Sequence, residues 1–132
     1  MTSPAKGMPA EFEDFIVRRR IEILKNIPGF LDKEKTLLDI GCGNGASLVL
    51  IAKYFNRCHG VDISEQSLNE LSVKLNNNLY KNISWSLENV DKEFCEGEEF
   101  DRIISFEVLE HVGNDQQLLM QMFSKLAPRG IM

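Results

Sequence analysis

Three glycines alternate with other residues at Gly41, Gly43 and Gly45, and an aspartate stands on either side of them. Asp39 closes the apolar run Thr36-Leu37-Leu38, and Asp62 closes the run Cys58-His59-Gly60-Val61. Alternating glycines let a chain turn sharply and let a ligand approach the backbone with no Cβ atoms in the way. A carboxylate at the end of a strand is an acceptor-only group, able to take two O–H donors or to favour a nearby cation. These residue types describe a binding crevice for a small polar ligand.

The elements that must position them read from the pattern. The apolar run before Asp39 is a strand. After the glycines, Leu48, Ile51, Ala52 and Phe55 recur at i, i+3, i+4 and i+7, a helix with one buried face. Strand, glycine loop and helix open a nucleotide-type βαβ unit, and the loop is expected to aim free N–H groups of the helix N-terminus at a ligand. Gly41-x-Gly43-x-x-Ala46 fits the dinucleotide fingerprint, with Asp62 about 20 residues on where a ribose acceptor belongs. Asp39 argues otherwise, because a pyrophosphate at the strand end would meet a carboxylate. A ligand without phosphate, bearing an ammonium and a sulfonium, would be attracted.

Leu37-Leu38-Asp39-Ile40-Gly41-Cys42-Gly43-Asn44-Gly45 resembles the first motif of class I S-adenosylmethionine-dependent methyltransferases. The resemblance implies that Asp39, Gly41, Cys42, Gly43 and Gly45 line the cofactor; at Cys42 the position asks only for a small residue. Asp62-Ile63-Ser64 looks like the second motif, which implies Asp62 on the ribose hydroxyls and Ile63 against the adenine. Ser64 is a candidate cap for the following helix, whose inner face is Leu68, Leu71, Leu75 and Leu79. A third strand, Asn82 to Leu87, is followed by Glu88 and Asn89, either of which could meet the adenine amino group. The fourth strand, Phe100 to Phe106, runs into Glu107-Val108-Leu109-Glu110-His111-Val112, a block similar to that of small-molecule methyltransferases of the ubiquinone and menaquinone biosynthesis type. That similarity implies Ser105, Phe106 and Glu107 near the methionine end of the cofactor. His111 is a candidate general base for an acceptor hydroxyl, since imidazole titrates near neutral pH; a structural hydrogen bond fits it equally.

The totals set the remaining bounds. The chain has 132 residues, 43% of them hydrophobic, and a net charge of −5, so one globular domain without the basic face that nucleic acid requires. Arg18-Arg19-Arg20 spreads around a helix and reads as solvated charge, as does the acidic stretch Asp91 to Glu99. Cys42, Cys58 and Cys95 lack metal-ligand spacing and read as reduced thiols of a cytoplasmic protein with no metal site. No stretch is long and apolar enough to span a membrane.

Met1 to Pro9 is expected to be a flexible tail before a domain spanning residues 10–132. A first helix, Ala10 to Asn26, carries Phe12, Phe15, Ile16, Ile23 and Ile27 on one side, with Val17, Ile21 and Leu24 extending the arc. A last helix, Asp115 to Ala127, is expected to bury Leu118, Leu119, Met122, Phe123 and Leu126. The fold class is α/β, a Rossmann-like parallel sheet of strand order 3-2-1-4 with helices on both faces. Only Ile131-Met132 remain for a fifth strand, so the later strands of the family fold are expected to be missing. The fourth strand would then be an exposed edge open to self-association. The expected function is methyl transfer from S-adenosylmethionine to a small-molecule acceptor. The alternatives are a non-catalytic cofactor-binding module or fragment, and a nicotinamide-dependent oxidoreductase.

Overall fold

The computed structural model describes residues 10–76, 81–106 and 115–132, with the backbone alone for residues 10–14. The predicted tail and Leu79, Glu107 and His111 lie outside the described residues. Five parallel strands form one sheet of order β3-β2-β1-β4-β5. They are β1 (Asp32–Ile40), β2 (Phe55–Asp62), β3 (Ile83–Leu87), β4 (Phe100–Ser105) and β5 (Leu126–Ile131). The helices are α1 (Ala10–Lys25), α2 (Leu48–Ile51, continued by a 3-10 turn to Tyr54), α3 (Glu65–Leu75) and α4 (Asp115–Ser124).

β1 is the centre because Leu37, Leu38, Asp39 and Ile40 are buried in sequence, which requires cover on both faces. Leu37 packs on one side with Leu24, Leu48, Ile51, Leu68 and Leu71, from α1, α2 and α3. Leu38 and Ile40 pack on the other with Phe94, Phe100, Leu118 and Met122, from the β3–β4 loop, β4 and α4. The lower part of β1 is tied to β4 by Asp101, whose Oδ2 accepts from Thr36 N–H at 3.0 Å and from the Thr36 hydroxyl at 3.1 Å.

Three expectations need correction. The fourth strand is not an unpaired edge, because β5 begins at Leu126 and runs parallel to it, with Phe100 opposite Leu126 and Arg102 opposite Ile131. The helix pattern persists in sequence through Leu126, but Pro128 cannot sit inside a helix and Arg129 adopts φ 66°. The chain therefore leaves α4 at Ser124, the Lys125 carbonyl accepts the Phe100 N–H at 2.7 Å, and the sheet gains a strand. Arg102 is buried; it donates to the carbonyls of Phe30 and Gly29 at 3.0 Å each and of Asp101 at 2.9 Å.

The second correction concerns α1, which buries Val17 and Leu24 and exposes Phe15 and Ile23. Its apolar arc is wide enough to seat in more than one rotation. The third concerns α4, where Leu118 and Met122 are buried while Leu119, Met120 and Phe123 are exposed. No helix among the described residues is long and apolar enough to cross a membrane.

The glycine loop is held against α3 by a contact that only glycine permits. Gly45 has φ 79°, and a Cβ there would drive into Leu71 Cδ1, itself fully buried. Gly97 has φ 76° with open space around it. Gly45→Ala is expected to lose about 2–4 kcal/mol of unfolding free energy, from left-handed strain plus overpacking, and Gly97→Ala about 1–2 kcal/mol from strain alone. Urea denaturation of both variants measures the difference; equal losses would show that the Leu71 contact is not a constraint.

Candidate functional site

The glycine loop, the Asp62 turn and the end of β4 come together at the carboxyl ends of the three central strands, where open α/β sheets bind ligands. Gly41, Gly43 and Gly45 all take positive φ, which is why these positions are glycine. The loop's N–H groups are turned inward. Gly41 and Cys42 donate to the Val61 carbonyl at 2.8 and 3.1 Å, and Gly45 to the Cys42 carbonyl at 3.1 Å. Gly43 donates to Asp62 Oδ2 at 2.9 Å and Ala46 to Asn44 Oδ1 at 3.1 Å. The N–H groups of Gly41, Cys42, Gly43, Gly45 and Ala46 are thus already engaged and do not join a row of free donors. α2 is one turn long, and Ser47 before it makes no side-chain cap bond.

Asp62 is buried and does structural duty beyond the expected one. Its second oxygen, Oδ1, accepts the Ser64 N–H at 2.8 Å, so one carboxylate links the glycine loop to the turn after β2. Each oxygen keeps a further lone pair. Ser64 caps α3 as its sequence implies, accepting from the Ser67 N–H. Beside Asp62, Ile63 is 66% exposed, and Leu87 at the end of the paired strand β3 is 54% exposed. These two apolar side chains flank the ends of neighbouring strands; Leu87 escaped the sequence reading because it alternates with Ser86 and Ser84 as an outward strand residue.

Glu88 and Asn89 are engaged locally. Glu88 Oε2 accepts from the Ser86 hydroxyl at 2.8 Å and the Cys95 thiol at 3.3 Å, while Oε1 accepts the Cys95 N–H at 3.1 Å. Partial burial alone would raise the Glu88 pKa; those hydrogen bonds outweigh it and hold the carboxyl below its usual range. Asn89 Oδ1 accepts the Asp91 N–H at 2.9 Å.

At the other end of the crevice, Asp39 is buried at the end of β1, level with Ile104 of β4. Burial pushes its pKa up to about 7; the Arg20 charge opposes that rise and the Asp62 charge adds to it. Arg20 is the residue that the sequence hid. Instead of lying in solvent it reaches from α1 to the Ser47 hydroxyl at 3.4 Å and lies 4.8 Å over the Phe106 ring. Its neighbours in the basic triplet gave no cue, since the face of a helix that meets a site is set by packing. Ser105, opposite Ile40, has a buried hydroxyl with no hydrogen-bond partner among the described residues. A buried polar group of this kind at a strand end can take a polar ligand.

The Asp39 shift has a sign that can be checked. Its folded pKa lies above the ordinary carboxylate value, so its stabilising contribution is present below about pH 4 and is lost as pH rises through about 7. The span corresponds to an upper bound of about 4 kcal/mol. Relative to Asp39→Asn, the native protein is expected to lose stability between pH 4 and 7.5, measured by urea denaturation at each pH. Parallel profiles for the two proteins would show that the carboxyl is not desolvated.

A family profile described as a methyltransferase domain matches residues 31–132. The ubiquinone biosynthesis O-methyltransferase of Coxiella burnetii is 31% identical over 98 residues, covering 74% of this chain and 42% of that protein. The mitochondrial ubiquinone biosynthesis O-methyltransferase of Candida albicans is 30% identical over 129 residues, covering 95% of this chain and 37% of that protein. The chain thus spans less than half the length of these relatives. The crystal structure of coclaurine N-methyltransferase bound to N-methylheliamine and S-adenosylhomocysteine superposes with a TM-score of 0.74 at 22% identity, covering 96% of this chain and 36% of that one. With a five-stranded parallel sheet, its glycine loop beside β1 and a profile match over most of its length, this chain belongs to the methyltransferase domain family.

Proposed function

We propose that this chain binds S-adenosylmethionine across the ends of β1, β2 and β4 and takes part in methyl transfer to a small-molecule acceptor. The observation that carries this reading is the glycine loop, in which the N–H groups of Gly41, Cys42, Gly43, Gly45 and Ala46 are engaged inside the protein. A pyrophosphate cradle needs such donors facing outward, as in dinucleotide sites. A loop closed on itself, with a buried carboxyl at its base, suits a ligand that has no phosphate and carries positive charge. Family membership and the two ubiquinone biosynthesis relatives support the same reading, and those relatives favour an oxygen nucleophile on the acceptor.

When bound, the cofactor supplies an electrophilic methyl group on a sulfonium. The chain's own residues divide the work of holding it. Asp62 takes ribose hydroxyls on the lone pairs left by Gly43 and Ser64. Gly41, Cys42, Gly43 and Gly45 give close backbone approach, and Ile63 and Leu87 offer apolar flanks for the adenine. The adenine amino group finds an acceptor on Asn89 or Glu88, of which Glu88 already holds three local donors. Asp39 receives the ammonium, and Arg20 and the Ser105 hydroxyl serve the polar methionine end with Phe106 and Glu107. His111 is assigned the acceptor's proton, and the setting is a reducing, cytoplasmic one in which the three cysteines form no disulfide.

Calorimetry with S-adenosylhomocysteine and with NAD tests the reading. Tighter binding of S-adenosylhomocysteine is expected; tighter NAD binding would sink it. Asp62→Ala should weaken binding by roughly thirty-fold to several hundred-fold, from charge-assisted bonds of about 1.5–3 kcal/mol each. The same variant should lose thermal stability, because two backbone donors lose their acceptor. Glu99→Gln, in the exposed part of the acidic loop, should bind as the native protein does.

A further inference from the structure

On the face of the sheet covered by the β3–β4 loop, three ligand-type side chains from three separate segments converge. His59 lies on β2, Glu88 follows β3, and Cys95 lies in the loop; an imidazole nitrogen, a carboxylate oxygen and the thiol sulfur all fall within 4.8 Å of one another. A tetrahedral Zn2+ with ordinary bond lengths separates its ligand atoms by roughly 3.3–3.8 Å, so these three need close by only about 1 Å. We propose that His59, Glu88 and Cys95 form a Zn2+ site that fastens the loop of residues 88–99 to the sheet.

Several features beyond the triad suit an ion. His59 Nδ1 lies 2.6 Å from the Ser84 hydroxyl, which can take an Nδ1 proton in the tautomer that offers Nε2 to a metal, as second partners of metal-bound histidines do. Ser86 donates its one proton to Glu88 Oε2 at 2.8 Å, so its oxygen accepts from Nε2–H at 2.9 Å until an ion takes that place. Ser86 thus bridges the gap an ion would fill, and its oxygen or a water completes four-coordination. Glu98, on the same loop, is close enough for its charge to act on both His59 and Cys95, adding a second carboxylate to the neighbourhood. Cys95 is buried while His59 and Glu88 are partly open, which gives an ion a route in. Nitrogen, sulfur and oxygen donors in a compact group select Zn2+ over Ca2+ or Mg2+, which favour oxygen alone. As zinc binds, the thiol proton leaves to solvent, the imidazole proton passes from Nε2 to Nδ1 and is donated to the Ser84 hydroxyl, and no electron moves.

The site lies outside the glycine loop, and its test needs no cofactor. The purified protein, stripped with chelator and kept reduced, is titrated with ZnCl2 by calorimetry and with CoCl2 by absorbance. One equivalent of Zn2+ at micromolar affinity or tighter is expected, with a raised thermal midpoint. Co2+ should give a thiolate-to-metal charge-transfer band in the near ultraviolet. Cys95→Ser and His59→Gln should each weaken Zn2+ binding about a hundredfold or more while keeping the native circular dichroism. Cys58→Ala, whose thiol is buried on the opposite face, should bind as the native protein does. The cobalt band is read on the native protein, so the outcome does not hinge on any variant folding. Absence of stoichiometric binding, absence of the band, or undiminished binding in Cys95→Ser overturns the proposal.

Discussion

The Asp62 carboxylate is the joint on which the crevice depends. One oxygen takes the Gly43 N–H and the other the Ser64 N–H, so a single side chain sets the distance between the glycine loop and the start of α3. Both bonds run to a carboxylate, and the Gly43 bond is buried, the condition in which such bonds are strongest. The rest of the loop closes around that joint. Lys74, from the far end of α3, donates to the Asn44 carbonyl at 3.0 Å, and the absence of a Cβ at Gly45 lets the loop lie on Leu71. A carboxylate that orders the apo crevice and retains lone pairs for a ligand makes binding a matter of adding donors, with little rearrangement to offset.

The two aspartates illustrate how the same chemistry diverges with surroundings. Asp62 and Asp39 are both buried at strand ends. Asp62 has two backbone N–H donors, whereas at Asp39 burial dominates and the nearby Arg20 charge only partly answers it. On the proposed reading, an arriving ammonium would complete the compensation at Asp39. The part already present comes from α1, whose Arg20 faces Ser47 and Phe106.

β1 was legible because Leu37, Leu38 and Ile40 form a dense apolar run around an acid, and a parallel strand buried on both faces must read that way. The Ser64 cap and the Leu68–Leu71 face of α3 follow from local spacing for the same reason. What escaped depends on distant partners. β5 was obscured because Leu118, Met122 and Leu126 keep helical period into a strand, and only Pro128 marks the change. The rotation of α1 is set by which of its apolar residues fits beneath it, so Val17 and Leu24 went in and Phe15 stayed out. Arg20 was invisible as a site residue because its two basic neighbours in sequence point elsewhere.

The acidic loop carries the same lesson further. As sequence, residues 91–99 are charges with one cysteine among them, and solvation is the natural reading. In the fold, Cys95 turns back under Glu88, and Glu88 sits one residue beyond the end of β3, its N–H on the Asp62 carbonyl at 3.0 Å. A chain of polar contacts therefore runs from His59 through Ser86 and Glu88 to Cys95, and by the Glu88 backbone to Asp62 itself. Whatever fixes this loop also fixes the turn that holds Asp62. Order beside Asp62 is thus set in part on the sheet face covered by the β3–β4 loop, by residues that no local motif connects.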